Sequence, residues 1–444
     1  MSPSFVNSRP TGFVLGGLHG SSGKTAITCL LLAGLEARGL SVQPFKAGPD
    51  YIDPAYHSRF SSRPSRNLDA WLMGRETVLR EADRHTQSAT GILEGVMGLF
   101  DGAFPTSEEG STMELARWLN WPVVLCIPAA KAGRSLAAAL RGFMEEARPS
   151  RIVGVVLNGV SGASHTGYLR EAIKPLGIPV LGAVPQSELL HWDERHLGLQ
   201  APQETLLPSP QELSRLAEET LDLEAFSNLA SIHKTTVEQE AKATTNTPRK
   251  RVAIARDSAF HFYYQANLEW LQQQGAEMLP FSPLDSKKLP TDLDAIILGG
   301  GFPEIYADQL SANTSLRSEL HDAVSNGLPC YAECGGLMLL ADELVTIDGT
   351  RFPMTGVIPG SVAMTRSLQN FGYCSADGVH PGHEFHHSRW EAEATQANAW
   401  TVSRRRNGSS RKEGFRTPTL HASYVHLYFP QNASLLGTQL GFLT

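Results

Sequence analysis

GGLHGSSGKT, residues 16–25, decides how the first half of this chain is read. It ends as a phosphate-binding loop ends, in Gly-Lys-Thr, but the spacing is unusual. In the pattern G-x-x-x-x-G-K-[ST], counting back from Gly23, Lys24 and Thr25 puts the first glycine at position 18. That residue is Leu18, and Gly17 lies one place too early. The surroundings favour a phosphate site all the same. FVLGG has the make-up of a strand end, and Lys24 opens a stretch that reads as a helix over 24–38. A glycine- and serine-rich turn at that junction presents backbone N–H groups at the positive end of a helix, where an anion is stabilised. Gly20, Ser22 and Gly23 build the turn, Lys24 offers an ammonium to the outer phosphates, and Thr25 offers a hydroxyl to a magnesium ion.

Outward from the loop, short apolar runs alternate with helical stretches. Strands are expected over 12–17, 41–46, 90–95, 122–127, 151–157 and 179–183, and helices over 24–38, 111–119, 133–147 and 210–221. Runs such as VVLCI and IVGVVL indicate a mostly parallel sheet covered on both faces, an α/β architecture. HKTTVEQEAKATTNTPRK, residues 233–250, is polar and poor in large apolar side chains, and reads as a linker. Strand–helix alternation then restarts, with helices near 262–274 and 314–326, and from about residue 352 it gives way to shorter β-like pieces. The expectation is two α/β domains.

The bulk numbers agree. A chain of 444 residues suggests two or three domains. Hydrophobic residues make up 41% and charged residues 19%, as in globular proteins. A net charge of −7 argues against nucleic acid as a general partner. No apolar run reaches the roughly 18 residues of a membrane span, and MSPSFVNSRP lacks the core of a signal peptide. Five cysteines without metal-type spacing fit a reducing cytoplasm and leave room for one reactive thiol.

Candidate partners for a metal follow the second and third strands. KAGPDYIDPAYHSR carries Asp50 and Asp53 on what reads as a proline-bounded loop, and ILEGVMGLFDG carries Glu94 at a strand end with Asp101 beyond a glycine turn. Open parallel sheets bind ligands at this edge. Thr25, Asp53 and Glu94 are hard-oxygen donors suited to magnesium, directly or through water. Taken alone, Asp50 and Asp53 are also ordinary turn formers beside Pro49 and Pro54.

The second half holds a thiol. LPCYAECGGLMLL places Cys334 between a short strand and an apolar helix, with glycines behind it. Such an elbow exposes the side chain at a helix N-terminus, which favours the nucleophilic thiolate. The other four cysteines sit in apolar settings and read as small buried hydrophobes. His426, in ASYVHLYF, is the candidate base; His383, His386 and His387 in GHEFHHS are rivals whose spacing does not match H-E-x-x-H. The backbone N–H groups of Gly300, in ILGGGFPE, and Gly335 are candidate oxyanion donors.

The longer loop resembles that of dethiobiotin synthetase-like ATPases. SSGKT, PFKAGPDYIDPAYH, SRNLDAW and LEGVMGLFDG, followed in order by AFHFYYQANLEWL, GGGFPEIYADQLSAN, YAECGGLMLL, GHEFHHS and ASYVHLYF, resemble the cobyrinic acid a,c-diamide synthase family across nearly the whole chain. The resemblance implies an ATP-dependent amidoligase domain over 1–232, a linker over 233–250 and a class I glutamine amidotransferase domain over 251–444. It implies a carbon–nitrogen ligase of cobalamin biosynthesis, with glutamine or ammonia as nitrogen donor, a phosphorylated carboxylate intermediate and magnesium as cofactor. ATP, glutamine and a corrinoid tetrapyrrole are the partners it implies. The a and c side chains would be amidated in succession.

By the same resemblance Asn158 meets the adenine edge, Asp50, Tyr51 and Asp53 lie near the tetrapyrrole, and Glu94 and Asp101 lie near the metal and the reacting carboxylate. Hydrogenobyrinic acid and a nickel sirohydrochlorin are alternative substrates, and a regulatory ATPase of the chromosome-partitioning type is the alternative from another class. The oligomeric state is left open, a homodimer among the choices. One departure stands out. Triad amidotransferases carry a Glu two residues after the His, whereas position 428 is Tyr428. That leaves a Cys/His dyad, with Glu384 as the candidate to orient His426.

Overall fold

The computed structural model describes residues 11–192, 194–195, 198–199, 207–230 and 249–441. The chain divides into two compact units, Met1–Lys242 and Ala243–Thr444. Most of the expected linker, through residue 248, lies outside the described residues.

The first unit is built on seven strands: β1 (Gly12–Gly17), β2 (Val42–Ala47), β3 (Arg66–Leu68), β4 (Thr90–Glu94), β5 (Val123–Pro128), β6 (Ile152–Val160) and β7 (Val180–Pro185). All run parallel, in the order β3-β2-β4-β1-β5-β6-β7. Apolar residues on both faces of β1, such as Phe13, Val14 and Leu15, are fully buried, as a sheet covered on both sides requires. The helices expected from the sequence form as α1 (Lys24–Ala37), at Thr112–Leu119, at Ser135–Glu146 and at Pro210–Thr220.

Four described helices of this unit lie outside the expected ones: Ile52–Arg59, Ala70–Thr86, Ala163–Ile173 and Leu223–Asn228. The segment read as a proline-bounded loop is in fact a short helix, Ile52–Arg59, which puts Asp53 in its first turn. Asp50 starts it by accepting from the Ile52 and Asp53 N–H groups at 2.8 and 3.1 Å. Asp69 does the same for the helix Ala70–Thr86, accepting from Trp71 and Leu72. Proline inside the first turn hides such a helix from pattern reading, because its missing N–H does no harm there.

The second unit has a six-stranded sheet. In spatial order its strands are Ala276–Phe281, Lys250–Ala255, Ala295–Leu298, Cys330–Glu333, Leu420–Ser423 and Phe415–Arg416, the last antiparallel. A five-stranded antiparallel sheet packs into the same unit, ordered Ser410–Glu413, Trp400–Arg404, Asn370–Ala376, His380–His386 and His426–Leu427. The run ASYVHLYF is therefore not one strand. It leaves the parallel sheet after Ser423 and enters the antiparallel sheet at His426.

Candidate active sites of the two units

In the first unit the loop after β1 closes on itself. Gly23 precedes α1 with φ 79°, and a Cβ there would lie 2.0 Å from Asn158 Nδ2, so the position needs glycine on both counts. Asn158 Nδ2 donates to Ser22 O at 3.2 Å, and Ser22 Oγ donates to His19 O at 2.8 Å. Asn158 thus braces the loop from the end of β6. Lys24, 5% exposed, donates to the carbonyls of Gly20 at 3.1 Å and Met97 at 2.7 Å. Burial lowers its pKa, and the nearby Lys46 lowers it further. A buried ammonium held only by carbonyls has a charge still to be matched by an anion.

Behind the loop the carboxylates meet through a lysine that the sequence reading passed over. Thr25 Oγ1 donates to Glu94 Oε1 at 3.0 Å. Lys46 Nζ lies 2.7 Å from Glu94 Oε1, 2.5 Å from Asp53 Oδ2 and 3.9 Å from Asp50 Oδ2. His57 Nε2 lies 2.6 Å from Glu94 Oε2, and its Nδ1 lies 3.1 Å from Ser65 Oγ. Of the expected trio, Thr25 touches Glu94, and the Lys46 ammonium lies between Glu94 and Asp53. Burial works against the charges of both Lys46 and Glu94, yet the pairing outweighs it, raising the lysine and holding the Glu94 carboxyl well below its usual range. Burial and Asp50 push the Asp53 carboxyl upward despite Lys46.

Tyr51 sits half-buried at the start of the helix Ile52–Arg59. Asp101 is exposed and accepts from Gly98 N at 2.8 Å. Among the described residues no group of three or more His, Cys, Asp or Glu side chains is arranged to hold a metal ion.

In the second unit Cys334 stands at the elbow between the strand Cys330–Glu333 and the helix Gly335–Leu340. Its φ of 49° and ψ of −102° are strained for a residue with a side chain, and the strain is held by a hydrogen bond from its N–H to Ser423 O at 2.7 Å. His426 is hydrogen-bonded to Cys334 and, through Nδ1, lies 3.3 Å from Glu333 Oε2. Burial would lower the imidazole's pKa, but Cys334 and Glu333 raise it to about 10.

Glu333 is itself buried and fixed. Its Oε1 accepts from Tyr331 OH at 2.9 Å and from Leu427 N at 3.1 Å. Glu384 does not orient His426. It pairs with Arg411, and lies 3.6 Å from His386 Nε2. The acid beside His426 is instead Glu333, the residue immediately before Cys334.

Gly300 and Gly335 both lie at this site. A Cβ on Gly300 would come within 2.7 Å of His426 Cε1, and one on Gly335 would lie 3.2 Å from Gly301 N. The histidines of GHEFHHS separate. His383 stacks on His426 with ring centroids 4.9 Å apart and lies 2.6 Å from Tyr264 OH, whereas His386 stacks on Tyr424 at 3.8 Å. Burial, and then His426, lower the pKa of His383 well below its usual value. His387 instead meets Phe385 edge-on, with ring centroids 6.4 Å apart.

Two half-chains, each with its own chemistry, match two known domains. Residues 13–199 match the CobQ/CobB/MinD/ParA nucleotide binding domain, and residues 251–434 match the CobB/CobQ-like glutamine amidotransferase domain. The chain is 40% identical over 436 residues to the cobyrinate a,c-diamide synthase of Syntrophotalea carbinolica, covering 94% of this chain and 95% of that one. It belongs to the cobyrinate a,c-diamide synthase family. The Priestia megaterium member is 37% identical, covering 95% of both chains, and the Picrophilus torridus member 39%, covering 94% and 96%. As a member of that family the chain is a glutamine-dependent carbon–nitrogen ligase with an ATP-binding first half. No helix among the described residues is long and apolar enough to cross a membrane.

Proposed function

We propose that this chain converts cobyrinate to its a,c-diamide, using ATP and glutamine. The observation that carries the reading is the Cys334–His426–Glu333 arrangement, present in a chain whose other half holds an intact phosphate-loop lysine and a buried carboxylate cluster.

In the glutaminase step Cys334 Sγ attacks the side-chain carbonyl carbon of glutamine. The oxygen becomes an oxyanion, stabilised by backbone N–H groups of the Gly300 and Gly335 segments. The C–N bond breaks, and His426 delivers the proton with which nitrogen leaves as ammonia. Water, deprotonated by His426, then cleaves the thioester to glutamate and restores the thiol. Glu333 keeps Nδ1 of His426 occupied and so aims the other ring nitrogen at the sulfur, the work an aspartate does in serine-protease triads.

In the synthetase step a carboxylate oxygen of the tetrapyrrole attacks the γ-phosphorus of ATP and ADP leaves. The resulting acyl phosphate has the leaving group that a free carboxylate lacks. Ammonia attacks its carbonyl carbon and phosphate departs, leaving the amide. Gly20, Ser22 and Gly23 cradle the phosphates, and Lys24 matches their charge. Thr25, Glu94 and Asp53, drawn together around Lys46, are the donors that would hold magnesium, together with nucleotide oxygens and water. Bound there, the ion supplies charge neutralisation on the phosphates. Asp50 and Tyr51 before the helix Ile52–Arg59, Asp53 in its first turn, and Asp101 beyond β4 are the residues we assign to the tetrapyrrole side.

The test is product mass spectrometry with ATP, magnesium and glutamine on cobyrinate, hydrogenobyrinate and a nickel sirohydrochlorin in parallel. Cobyrinate is expected to gain two amides fastest. Preference for either other macrocycle would overturn the substrate, and no amidation of any would overturn the reading.

A further inference from the structure

Glu413 is a buried carboxylate that the chemistry above does not use. It ends the strand Ser410–Glu413 of the antiparallel sheet, and two residues later the chain joins the other sheet as Phe415–Arg416. The segment carrying His426 makes the opposite crossing, from Leu420–Ser423 to His426–Leu427. Glu413 bridges the two crossings. Its Oε2 accepts from Ser423 Oγ at 2.6 Å and its Oε1 from Tyr424 N at 2.8 Å. Ser423 Oγ in turn accepts from Val425 N at 3.0 Å, and Ser423 O accepts the N–H of Cys334 at 2.7 Å.

We propose that Glu413 is a positioning residue for glutamine cleavage, fixing the Ser423–Val425 turn that holds the Cys334 elbow on one side and leads into His426 on the other. The proposal rests on the reading of Cys334 and His426 as the glutamine-cleaving pair. A carboxylate suits the place because it meets two donors there, the Ser423 hydroxyl and the Tyr424 N–H, with one accepting oxygen for each. Nearby Glu384 and burial make the acid hard to keep. Burial, then Glu384, raise its carboxyl to about 7 against the pull of Ser423 and Tyr424. A neutral side chain would be easier to bury at a site with only a structural duty. The geometry at stake is fine: Cys334 holds a strained backbone, and small displacements of a nucleophile from its base are costly in rate.

The test uses the full chain with Glu413→Ala, Glu413→Gln and, as reference, Cys334→Ser. Glutamate release at saturating ATP and tetrapyrrole gives kcat and KM for glutamine, ammonia-driven amidation reports the first unit, and thermal unfolding reports the fold. Glu413→Ala should lower the glutamine kcat roughly ten- to hundredfold, with KM and the ammonia-driven rate unchanged. Glu413→Gln, which keeps one acceptor for Tyr424 N, should recover part of the loss. A parental glutamine kcat in both variants overturns the proposal. So does an equal loss of glutamine- and ammonia-driven rates that follows a lowered Tm. If Cys334→Ser still releases glutamate at the parental rate, the assignment of the nucleophile fails first.

Discussion

His426 Nδ1 stands 3.3 Å from Glu333 Oε2, so the imidazole is anchored by the residue that immediately precedes Cys334. A triad acid two residues beyond the histidine becomes unnecessary, and the tyrosine found there, Tyr428, is no defect. Glu333→Gln would keep the shape but lose the charge. Glutamine-dependent amidation is expected to fall roughly 10²-fold or more, while the ammonia-dependent rate holds. Equal retention of both rates would remove Glu333 from the mechanism.

The same contacts set a pH dependence of stability. The pKa of His426 is raised from 6.5 to about 10 in the folded chain. The folded state therefore holds a proton that the unfolded state gives up. The stabilisation is fully present below the unfolded pKa of 6.5 and is lost as pH rises through about 10. Chemical denaturation across this window should show stability falling with pH, with a flatter slope in His426→Gln. Identical slopes would contradict the assigned charge.

Lys46 is 3% exposed and holds Asp53 and Glu94 together. Lys46→Met leaves buried carboxylates without their cation, which typically costs roughly 3–5 kcal/mol. Reduced stability and loss of amidation from glutamine and ammonia alike are expected, with Cys334 still alkylated at the parental rate. Unchanged stability would mean that the carboxylates have another partner.

Gly23 carries two constraints, a φ of 79° and an Asn158 amide where a Cβ would go. Gly23→Ala should weaken ATP binding, measured by calorimetry, and adding Asn158→Ala should not restore it, because the backbone strain persists. Restoration by the double variant would show that crowding alone matters.

Much of this was legible in the sequence, for physical reasons. Six of the seven parallel strands of the first unit carry apolar runs that mark them plainly, whereas the edge strand β3, Arg-Asn-Leu, carries none. The glycine-rich turn before Lys24 and the thiol at its Glu-Cys-Gly-Gly elbow are local signals that need no partner. Lys46, His57 and Glu333 were not legible as site residues. Lys46 and Glu94 meet because β2 and β4 are neighbours in the sheet, an adjacency that no spacing along the chain reveals. His57 reaches Glu94 from the same face of a helix as Asp53, four residues on, but that helix was read as a loop. Glu333 adjoins His426 only through the fold, and the path from Ser423 to His426 between two sheets cannot be told from a single strand by pattern alone.

In the proposed function one chain frees nitrogen from glutamine at Cys334 and installs it on acid side chains at the expense of ATP. The decisive measurement is mass spectrometry of cobyrinate supplied with glutamine labelled at its amide nitrogen, compared between the parental chain and Cys334→Ser. The parental chain is expected to yield a doubly labelled a,c-diamide. Cys334→Ser is expected to yield none from glutamine, yet to form the diamide from added ammonia. Labelled product from Cys334→Ser at the parental rate, or no labelled product from the parental chain, would contradict the claim.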